Sequence, residues 1–277
     1  MALTLADIGF AYPVVSGFGE RALTDVSLSV EPGELVLVLG ATGSGKSTLL
    51  RIASGLLEPS SGSAVIDGAP LDRASARGAV GLVFQDAEAQ LFADSVLDDV
   101  AFGPVNLGAS KDVARQAARE TLERVGLPPE QFASRSPFGL SGGEARRAAI
   151  AGVLAMSPRY LLLDEPTAGL DARGRDAVRG LIRAERERSG IVVVSHSAAE
   201  FLGEADRVVL LADGRAAFCG DACDLIARPA LFAEAGLVAP DVLRVQELAV
   251  EHGVALAEYR LDAEDAAAAL AAAGGWR

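Results

Sequence analysis

The sequence predicts an α/β fold with a parallel central sheet, an antiparallel β region before it, a helical insertion within it and a short helical extension after it. The parallel sheet is predicted from apolar runs separated by helical patterns, because strands covered on both faces are apolar throughout. These runs are residues 35–39, 80–84, 160–163 and 191–194. Two further stretches, at about residues 86–158 and 219–277, show helical patterns without a convincing strand and predict the insertion and the extension.

The antiparallel region is predicted from residues 3–8 and 26–30, which alternate between apolar and polar side chains. Alternation with period two is typical of strands with one buried face. Hairpin turns are predicted at Asp67-Gly68 and Asp213-Gly214, since this dipeptide adopts the positive φ angles that tight hairpins need. Together the elements predict one domain over residues 1–218, which contains the helical insertion, and an extension over residues 219–277.

The composition argues against three classes of protein. With 25 Lys and Arg against 38 Asp and Glu, the net charge of −13 disfavours nucleic acid and anionic lipid as partners. No apolar run approaches the roughly 20 residues that cross a bilayer, and the first residues lack the pattern of a signal peptide. Cys219 and Cys223 are too few for a disulfide scaffold. We therefore expect neither a membrane-spanning, nor a disulfide-rich secreted, nor a nucleic-acid-binding protein.

A glycine-rich segment follows the apolar run at residues 35–39 and fits the phosphate-loop pattern G-x-x-x-x-G-K-[ST]. Its residues are Gly40, Ala41, Thr42, Gly43, Ser44, Gly45, Lys46, Ser47 and Thr48. The glycines let backbone N–H groups converge on phosphates, and the helix predicted from Ser47 onwards adds its positive dipole end. Lys46 can reach the β- and γ-phosphates, and the Ser47 hydroxyl can ligate Mg²⁺. The segment therefore predicts a site for a nucleoside triphosphate.

Two acidic residues, Asp164 and Glu165, follow the apolar run at residues 160–163. A carboxylate at the end of a buried strand is costly unless a charged group compensates it, and Mg²⁺ near Ser47 would do so. Glu165 is then a candidate general base for the attack of water on the γ-phosphate. The alternative is that one of these carboxylates only caps the next helix.

The helical insertion contains two predicted helices, at residues 111–125 and 143–156, and a capping box before the second one. Ser141 is followed three residues later by Glu144, and the exposed N–H groups at this helix start form a second candidate anion site beside Gly142 and Gly143. Taken alone, this segment can be a helix cap and nothing more.

The segment Leu140-Ser141-Gly142-Gly143-Glu144, with the phosphate loop and Asp164-Glu165, resembles the signature of ABC transporter ATPases. The resemblance covers about residues 3–218 and implies a P-loop core of the ABC ATPase type that works as a dimer with two ATPs between its subunits. It implies that Ser141, Gly142 and Gly143 bind ATP held by the opposing subunit. Glu144 replaces the glutamine usual in the family, and both residues suit a capping box.

The same resemblance gives expected roles to four further residues. Gln85 matches the glutamine that contacts Mg²⁺ and water, and His196 matches the histidine that contacts the γ-phosphate. Tyr12 matches the aromatic residue that stacks on adenine, and Asp171 lies in the loop that crosses the dimer interface. The expected catalytic residues are thus Glu165, His196 and Gln85, and the expected metal ligands are Ser47, Gln85 and Asp164.

Residues 84–92, 99–104 and 148–155 are similar to the ATPase subunits of energy-coupling-factor importers, which take up vitamins, cobalt or nickel. This similarity implies a second ATPase subunit, a transmembrane scaffold, a small membrane protein that captures the substrate, and a peripheral position at the cytoplasmic face of the membrane. Three alternatives remain open: the ATPase of another ABC importer or exporter, a soluble ABC switch protein, and a nucleotide-binding partner with a dead site.

Overall fold

A computed structural model describes residues 1–13 and 21–274 of the chain. Its central sheet has the strand order β10-β9-β3-β8-β7-β6, with parallel neighbours except for the antiparallel pair β9–β10. Numbered in chain order, its strands are β3 (Leu35–Gly40), β6 (Val80–Val83), β7 (Tyr160–Asp164), β8 (Gly190–Ser195), β9 (Arg207–Ala212) and β10 (Arg215–Asp221). The four predicted apolar runs are confirmed as neighbouring strands of this sheet.

The second sheet is antiparallel, as the alternating pattern predicts, and has the strand order β2-β1-β4-β5. Its strands are β1 (Leu3–Ala11), β2 (Arg21–Val30), β4 (Ser61–Ile66) and β5 (Ala69–Pro70). Both predicted hairpin turns are confirmed. Asp67 (φ 51°) and Gly68 (φ 85°) join β4 to β5, and Asp213 (φ 47°) and Gly214 (φ 74°) join β9 to β10.

Twelve α-helices are assigned in the described part of the chain. They are α1 (Lys46–Ala53), α2 (Arg73–Ala76), α3 (Val96–Asn106), α4 (Lys111–Arg124), α5 (Pro129–Phe132), α6 (Gly142–Leu154), α7 (Ala172–Glu185), α8 (Ala198–Phe201), α9 (Ala222–Ile226), α10 (Ala230–Glu234), α11 (Asp241–Glu251) and α12 (Ala263–Ala272). The helices α3 to α6 lie between β6 and β7 in the chain. The two predicted helices of the insertion are α4 and α6, and sequence analysis missed α3, whose start is capped by Ser95.

The helix α6 begins with the predicted capping box. The backbone N–H of Ser141 donates to the Glu144 carboxylate at 2.8 Å, and the N–H of Glu144 donates to the Ser141 hydroxyl at 3.4 Å. The hydrogen bond from Ser141 holds the pKa of the Glu144 carboxyl below its usual value. The glutamate therefore preserves this helix start, and its carboxylate accepts a hydrogen bond from the backbone of the capping residue Ser141.

The strand β3 explains why its sequence is apolar without interruption. Its alternate residues Leu35, Leu37 and Leu39 pack into one core, shared with the helical insertion and the C-terminal helices. Val36 and Val38 pack into a second core, shared with α1 and the antiparallel sheet. Both faces of the strand are thus removed from water, which is the burial that a parallel strand between two layers requires.

A polar contact ties the two sheets together at the start of β7. The Tyr160 hydroxyl, on a fully buried ring, donates to the Asp67 carboxylate at 2.7 Å, and Arg159 forms an ion pair with the same carboxylate. Burial and this hydrogen bond raise the pKa of Tyr160 above its usual value. The contact satisfies a phenol that would otherwise be buried without a partner.

The chain continues past the central sheet as four helices, α9 to α12. Gln246 on α11 is fully buried, and its amide donates to the Arg260 carbonyl at 2.7 Å and accepts from the Arg260 N–H at 2.9 Å. These two hydrogen bonds hold the segment between α11 and α12 against α11. Within residues 1–13 and 21–274, no helix is long and apolar enough to cross a membrane.

We predict that Tyr160→Phe lowers the free energy of unfolding by about 1 kcal/mol, because it removes the hydrogen bond to Asp67 and keeps the ring packing. Urea denaturation of the purified chain measures this change. Tyr259→Phe, at a half-buried ring beside the C-terminal helices, is the matched control and should leave the unfolding free energy unchanged. An equal effect of both substitutions would contradict the role of the Asp67 contact.

Candidate nucleotide site

A cleft of about 470 Å³ lies at the carboxyl ends of four neighbouring strands of the central sheet. The phosphate loop follows β3, Gln85 follows β6, Asp164 ends β7 and His196 follows β8. The carboxyl edge of a parallel sheet is where α/β proteins bind ligands, because the connecting loops converge there. The cleft is lined by Tyr12, Arg21, Ala22, Thr42, Gly43, Gly45, Lys46, Ser47, Thr48, Gln85, Asp164, Glu165 and His196.

The phosphate loop is shaped by a glycine that no other residue can replace without strain. Gly45 has a φ of 100° and stands directly before α1. A Cβ atom there would lie 2.6 Å from the Ala22 carbonyl oxygen of β2, too close for any real contact. The loop therefore passes tightly under β2 and presents the start of α1, with its free N–H groups, to the cleft.

Lys46 is held in place by the loop that precedes it. Its ammonium donates to the carbonyl oxygens of Gly40 at 2.7 Å and Ala41 at 2.8 Å. The residue is 8% exposed, and burial lowers the pKa of Lys46 while the nearby carboxylates of Glu165 and Asp164 oppose this shift. A phosphate group bound at the loop would compensate this buried positive charge further.

Asp164 ends β7 inside the cleft and is 7% exposed. Burial raises the pKa of the Asp164 carboxyl, and the Ser47 hydroxyl and Lys46 partly offset this effect. Ser47, Gln85 and Asp164 offer a hydroxyl, an amide oxygen and a carboxylate to one cleft, which is a donor set that suits Mg²⁺. In the part of the chain that the structure describes, no cluster of three His, Cys, Asp or Glu residues is placed to hold a metal.

Glu165 and His196 form the polar pair next to Lys46. The Nδ1 atom of His196 lies 2.8 Å from Oε1 of Glu165. The Ser195 hydroxyl lies 3.5 Å from Oε2 of Glu165 and 3.2 Å from the Ser197 carbonyl oxygen, so its single proton has two acceptors within reach. Because an ionised carboxylate only accepts, the Nδ1–H of His196 is the donor in this pair. Glu165 is 8% exposed and has a φ of 48°, an unfavourable conformation for a residue with a Cβ atom. The carboxylate is thus oriented by His196 at a strained position of the backbone.

Tyr12 lies at the other end of the cleft, just after β1. Its hydroxyl is 3.1 Å from the hydroxyl of Thr48, and its ring meets the ring of Phe10 edge to face, with the centroids 5.0 Å apart. The tyrosine is half-buried and lines the cleft. This position suits an aromatic residue that stacks on a base.

The structure does not bring every predicted site residue to this cleft. Gly40 and Ala41 stand behind it and hold Lys46, and Ser44 is buried against Gly40. Ser141, Gly142, Gly143 and Asp171 lie elsewhere on the chain, at the starts of α6 and α7. These two helix starts are neighbours, since a Cβ atom on Gly143 would lie 3.9 Å from the side chain of Leu170.

Three residues at the site were missed by sequence analysis. Arg21 and Ala22 at the start of β2 line the cleft, and Ser195 contacts the Glu165 carboxylate from the end of β8. Arg21 and Ala22 belong to no local motif, because it is the packing of β2 over Gly45 that brings them there. Ser195 had a signal, since it stands between an apolar strand and His196.

Comparison with known families and proteins gives one consistent result. The family model described as ABC transporter matches residues 23–168. The energy-coupling factor transporter ATP-binding protein EcfA2 of Symbiobacterium thermophilum is 41% identical over 276 residues, which cover 98% of this chain and 96% of that protein. The EcfA2 protein of Bacillus subtilis is 43% identical over 265 residues, 92% of this chain and 96% of that protein.

Solved structures agree with these relatives. The structure of cbiO1 from Clostridium perfringens, part of the ABC transporter complex cbiONQ, has a TM-score of 0.73 and 32% identity and covers 88% of this chain and 98% of its own. The dimeric structure of MJ0796, a bacterial ABC transporter cassette, has a TM-score of 0.71 and 30% identity, with 80% and 99% covered.

We predict that Lys46→Ala weakens ATP binding at least about 100-fold, because a charge-assisted contact to phosphate is lost inside a buried loop. Equilibrium binding of a fluorescent ATP analogue to the purified chain measures this affinity. Lys111→Ala, at the exposed start of α4, is the matched control and should bind as the unchanged chain does. Similar affinities for the two variants would show that Lys46 does not contact the phosphates.

Proposed function

We propose that this chain, which belongs to the ABC transporter family of ATP-binding proteins, is the ATP-hydrolysing motor subunit of an energy-coupling factor importer for a vitamin or a metal ion. The observation that carries the proposal is the cleft in which Lys46, Asp164, Glu165 and His196 converge beside the phosphate loop. The EcfA2 relatives, which this chain matches over nearly its whole length, support the importer class.

The cleft can bind ATP along its length. The base would stack on Tyr12, the phosphates would lie on the loop from Gly40 to Thr48, and Lys46 would contact the β- and γ-phosphates. Ser47, Gln85 and Asp164 would hold a Mg²⁺ ion, which neutralises phosphate charge when it is bound. Burial raises the pKa of Asp164 and lowers the pKa of Lys46. A bound Mg²⁺ ion would compensate the buried negative charge of Asp164, and the phosphates would compensate the buried positive charge of Lys46.

Hydrolysis follows from the position of Glu165. Its carboxylate accepts a proton from a water molecule as the water oxygen forms a bond to the γ-phosphorus, and the bond from that phosphorus to the bridging oxygen of ADP breaks. His196 donates from Nδ1 to Glu165 and thereby orients the carboxylate. The products are ADP and inorganic phosphate, and their release would reset the subunit.

The chain acts with a second ATPase subunit in this proposal, either another copy or a sister chain. Ser141, Gly142, Gly143 and Asp171 lie outside the chain's own cleft, at two adjacent helix starts. The exposed N–H groups at the start of α6 can contact the γ-phosphate bound by the opposing subunit. The solved structure of the MJ0796 cassette is dimeric, which supports the pairing of two ATPase subunits.

A groove of about 340 Å³ beside the segment after Gln85 is the proposed docking site for the membrane scaffold. It is lined mostly by apolar side chains, among them Leu91, Phe102, Leu107 and Met156. The exposed rings of Phe92 and Phe102 meet edge to face at its rim, with centroids 4.7 Å apart. An apolar groove of this kind suits a short helix of a partner, and it would hold the chain at the cytoplasmic face of the membrane.

We predict that Glu165→Gln lowers the ATPase turnover number at least about 100-fold and leaves ATP affinity within a few-fold, because it removes the proton acceptor and keeps the shape of the side chain. Steady-state phosphate release and nucleotide binding measure the two quantities. The matched control is Glu123→Gln, on the exposed face of α4. Wild-type turnover in Glu165→Gln would show that another group accepts the proton.

We predict that the tagged chain, purified from detergent-solubilised membranes, brings with it one scaffold protein and one small substrate-binding membrane protein. Phe92→Ser should reduce their recovery at least about tenfold, because the groove loses an exposed ring. Val113→Ser, at an exposed apolar residue of α4, is the control. Recovery of a conventional permease pair would leave the proposed ATPase activity intact and would overturn the proposed class of importer.

A further inference from the structure

Arg146 on α6 is a buried cation that the proposed reaction does not use. It is 4% exposed, lies within the helical insertion and faces the central sheet across the boundary between them. A guanidinium is costly to bury unless hydrogen-bond acceptors and an opposite charge lie beside it. The partners of Arg146 therefore show what it is built to hold.

Two partners of Arg146 are backbone carbonyls of the turn that follows β7. Its two terminal nitrogens donate to the carbonyl oxygen of Glu165 at 3.3 Å and to that of Ala168 at 3.4 Å. The same Glu165 carbonyl also accepts from the Ala168 N–H at 3.1 Å. Arg146 thus spans the whole turn from residue 165 to residue 168 with one planar group.

This turn starts at a residue that would not adopt its conformation unaided. Glu165 has a φ of 48°, and such strain persists only where surrounding contacts impose it. On one side, the Glu165 N–H donates to the Val194 carbonyl at 3.0 Å. On the other side, Arg146 holds the Glu165 carbonyl. The backbone N–H and the backbone carbonyl of Glu165 are therefore both held by hydrogen bonds. The direction of the Glu165 carboxylate depends on these two bonds.

The third partner of Arg146 is a carboxylate on the segment after Gln85. The Nε atom of Arg146 lies 3.4 Å from Oε1 of Glu88, an ion pair in which Nε makes no hydrogen bond, and Glu88 belongs to the short 3₁₀ turn Ala87–Gln90. This turn leads directly to Leu91 in the apolar groove. The ion pair orients the guanidinium and connects the groove segment to the turn at Glu165.

We propose that Arg146 is a positioning residue for ATP hydrolysis, which holds the turn at residues 165–168 so that the Glu165 carboxylate meets the attacking water. In this proposal Glu88 orients the guanidinium of Arg146. The inference rests on the proposed function, in which Glu165 accepts the proton. Lysine cannot replace arginine in this role, because an ammonium carries the same charge but cannot reach two carbonyls and a carboxylate as a planar fork does.

The test compares Arg146→Lys with Arg119→Lys, an exposed arginine of α4, in the full transporter purified with its partners. Displacement of a catalytic group by about 1 Å can cost about 100-fold in rate. We expect the turnover number of Arg146→Lys to fall about 10- to 100-fold and the KM for ATP to stay within about threefold. Arg119→Lys should match the wild type. Equal turnover in both variants overturns the proposal.

A second readout separates positioning from general support of α6. In a Glu165→Gln background the proton acceptor is absent, so ATP is retained whether or not the turn is aligned. We expect the double variant with Arg146→Lys to retain radiolabelled ATP through gel filtration as well as Glu165→Gln alone. Loss of retention would mean that Arg146 supports the fold of the helical insertion, and this overturns the positioning role.

Two further variants complete the test. Arg146→Met keeps the length of the stem without a buried charge, and it should show the same loss of turnover if Arg146→Lys does not fold. Glu88→Gln should lower the turnover number less than Arg146→Lys does. The double variant should turn over no more slowly than Arg146→Lys alone, whereas independent losses would contradict the orienting role of Glu88.

A wild-type transporter without ATPase activity overturns the proposed function itself. An active wild type with equally active Arg146 variants overturns this inference alone.

Discussion

The arrangement of this protein depends on compensating buried charges at the carboxyl edge of one parallel sheet. Lys46, Asp164 and Glu165 are each less than 10% exposed, and each needs an opposite charge or a hydrogen-bond partner close by. The protein supplies some of these partners itself, through the carbonyls behind Lys46 and the donors around Glu165. A nucleotide with a divalent cation, the ligand proposed above, would supply the remainder.

Most of the fold could be predicted because its patterns are local. The run at residues 35–39 is apolar at every position since both of its faces are buried, and the Asp-Gly pairs mark their turns through positive φ angles. The helix α3 was missed because Gly103 and Pro104 weaken its pattern, although Ser95 caps it in the usual way. Propensity is a weak guide where, as here, packing against α4 and α6 decides the conformation.

The residues of the phosphate loop and the Asp164-Glu165 pair could be predicted because each motif carries its chemistry within a few positions. Arg21 and Arg146 could not, since their importance arises from contacts between segments far apart in the chain. Arg146 follows the signature segment as an ordinary helical arginine in the sequence. Its role is indicated only by the structure, in which its guanidinium donates to two backbone carbonyls of the turn after β7.

The position of β3 between two cores has a consequence for the way the molecule responds to its ligand. Leu37 belongs to one core and Val38 to the other, so both cores pack on opposite faces of the same strand. The phosphate loop is the direct continuation of this strand. Nucleotide bound at the loop therefore stabilises the strand on which both cores pack, and at 100 times its dissociation constant the added stability is about 2.7 kcal/mol.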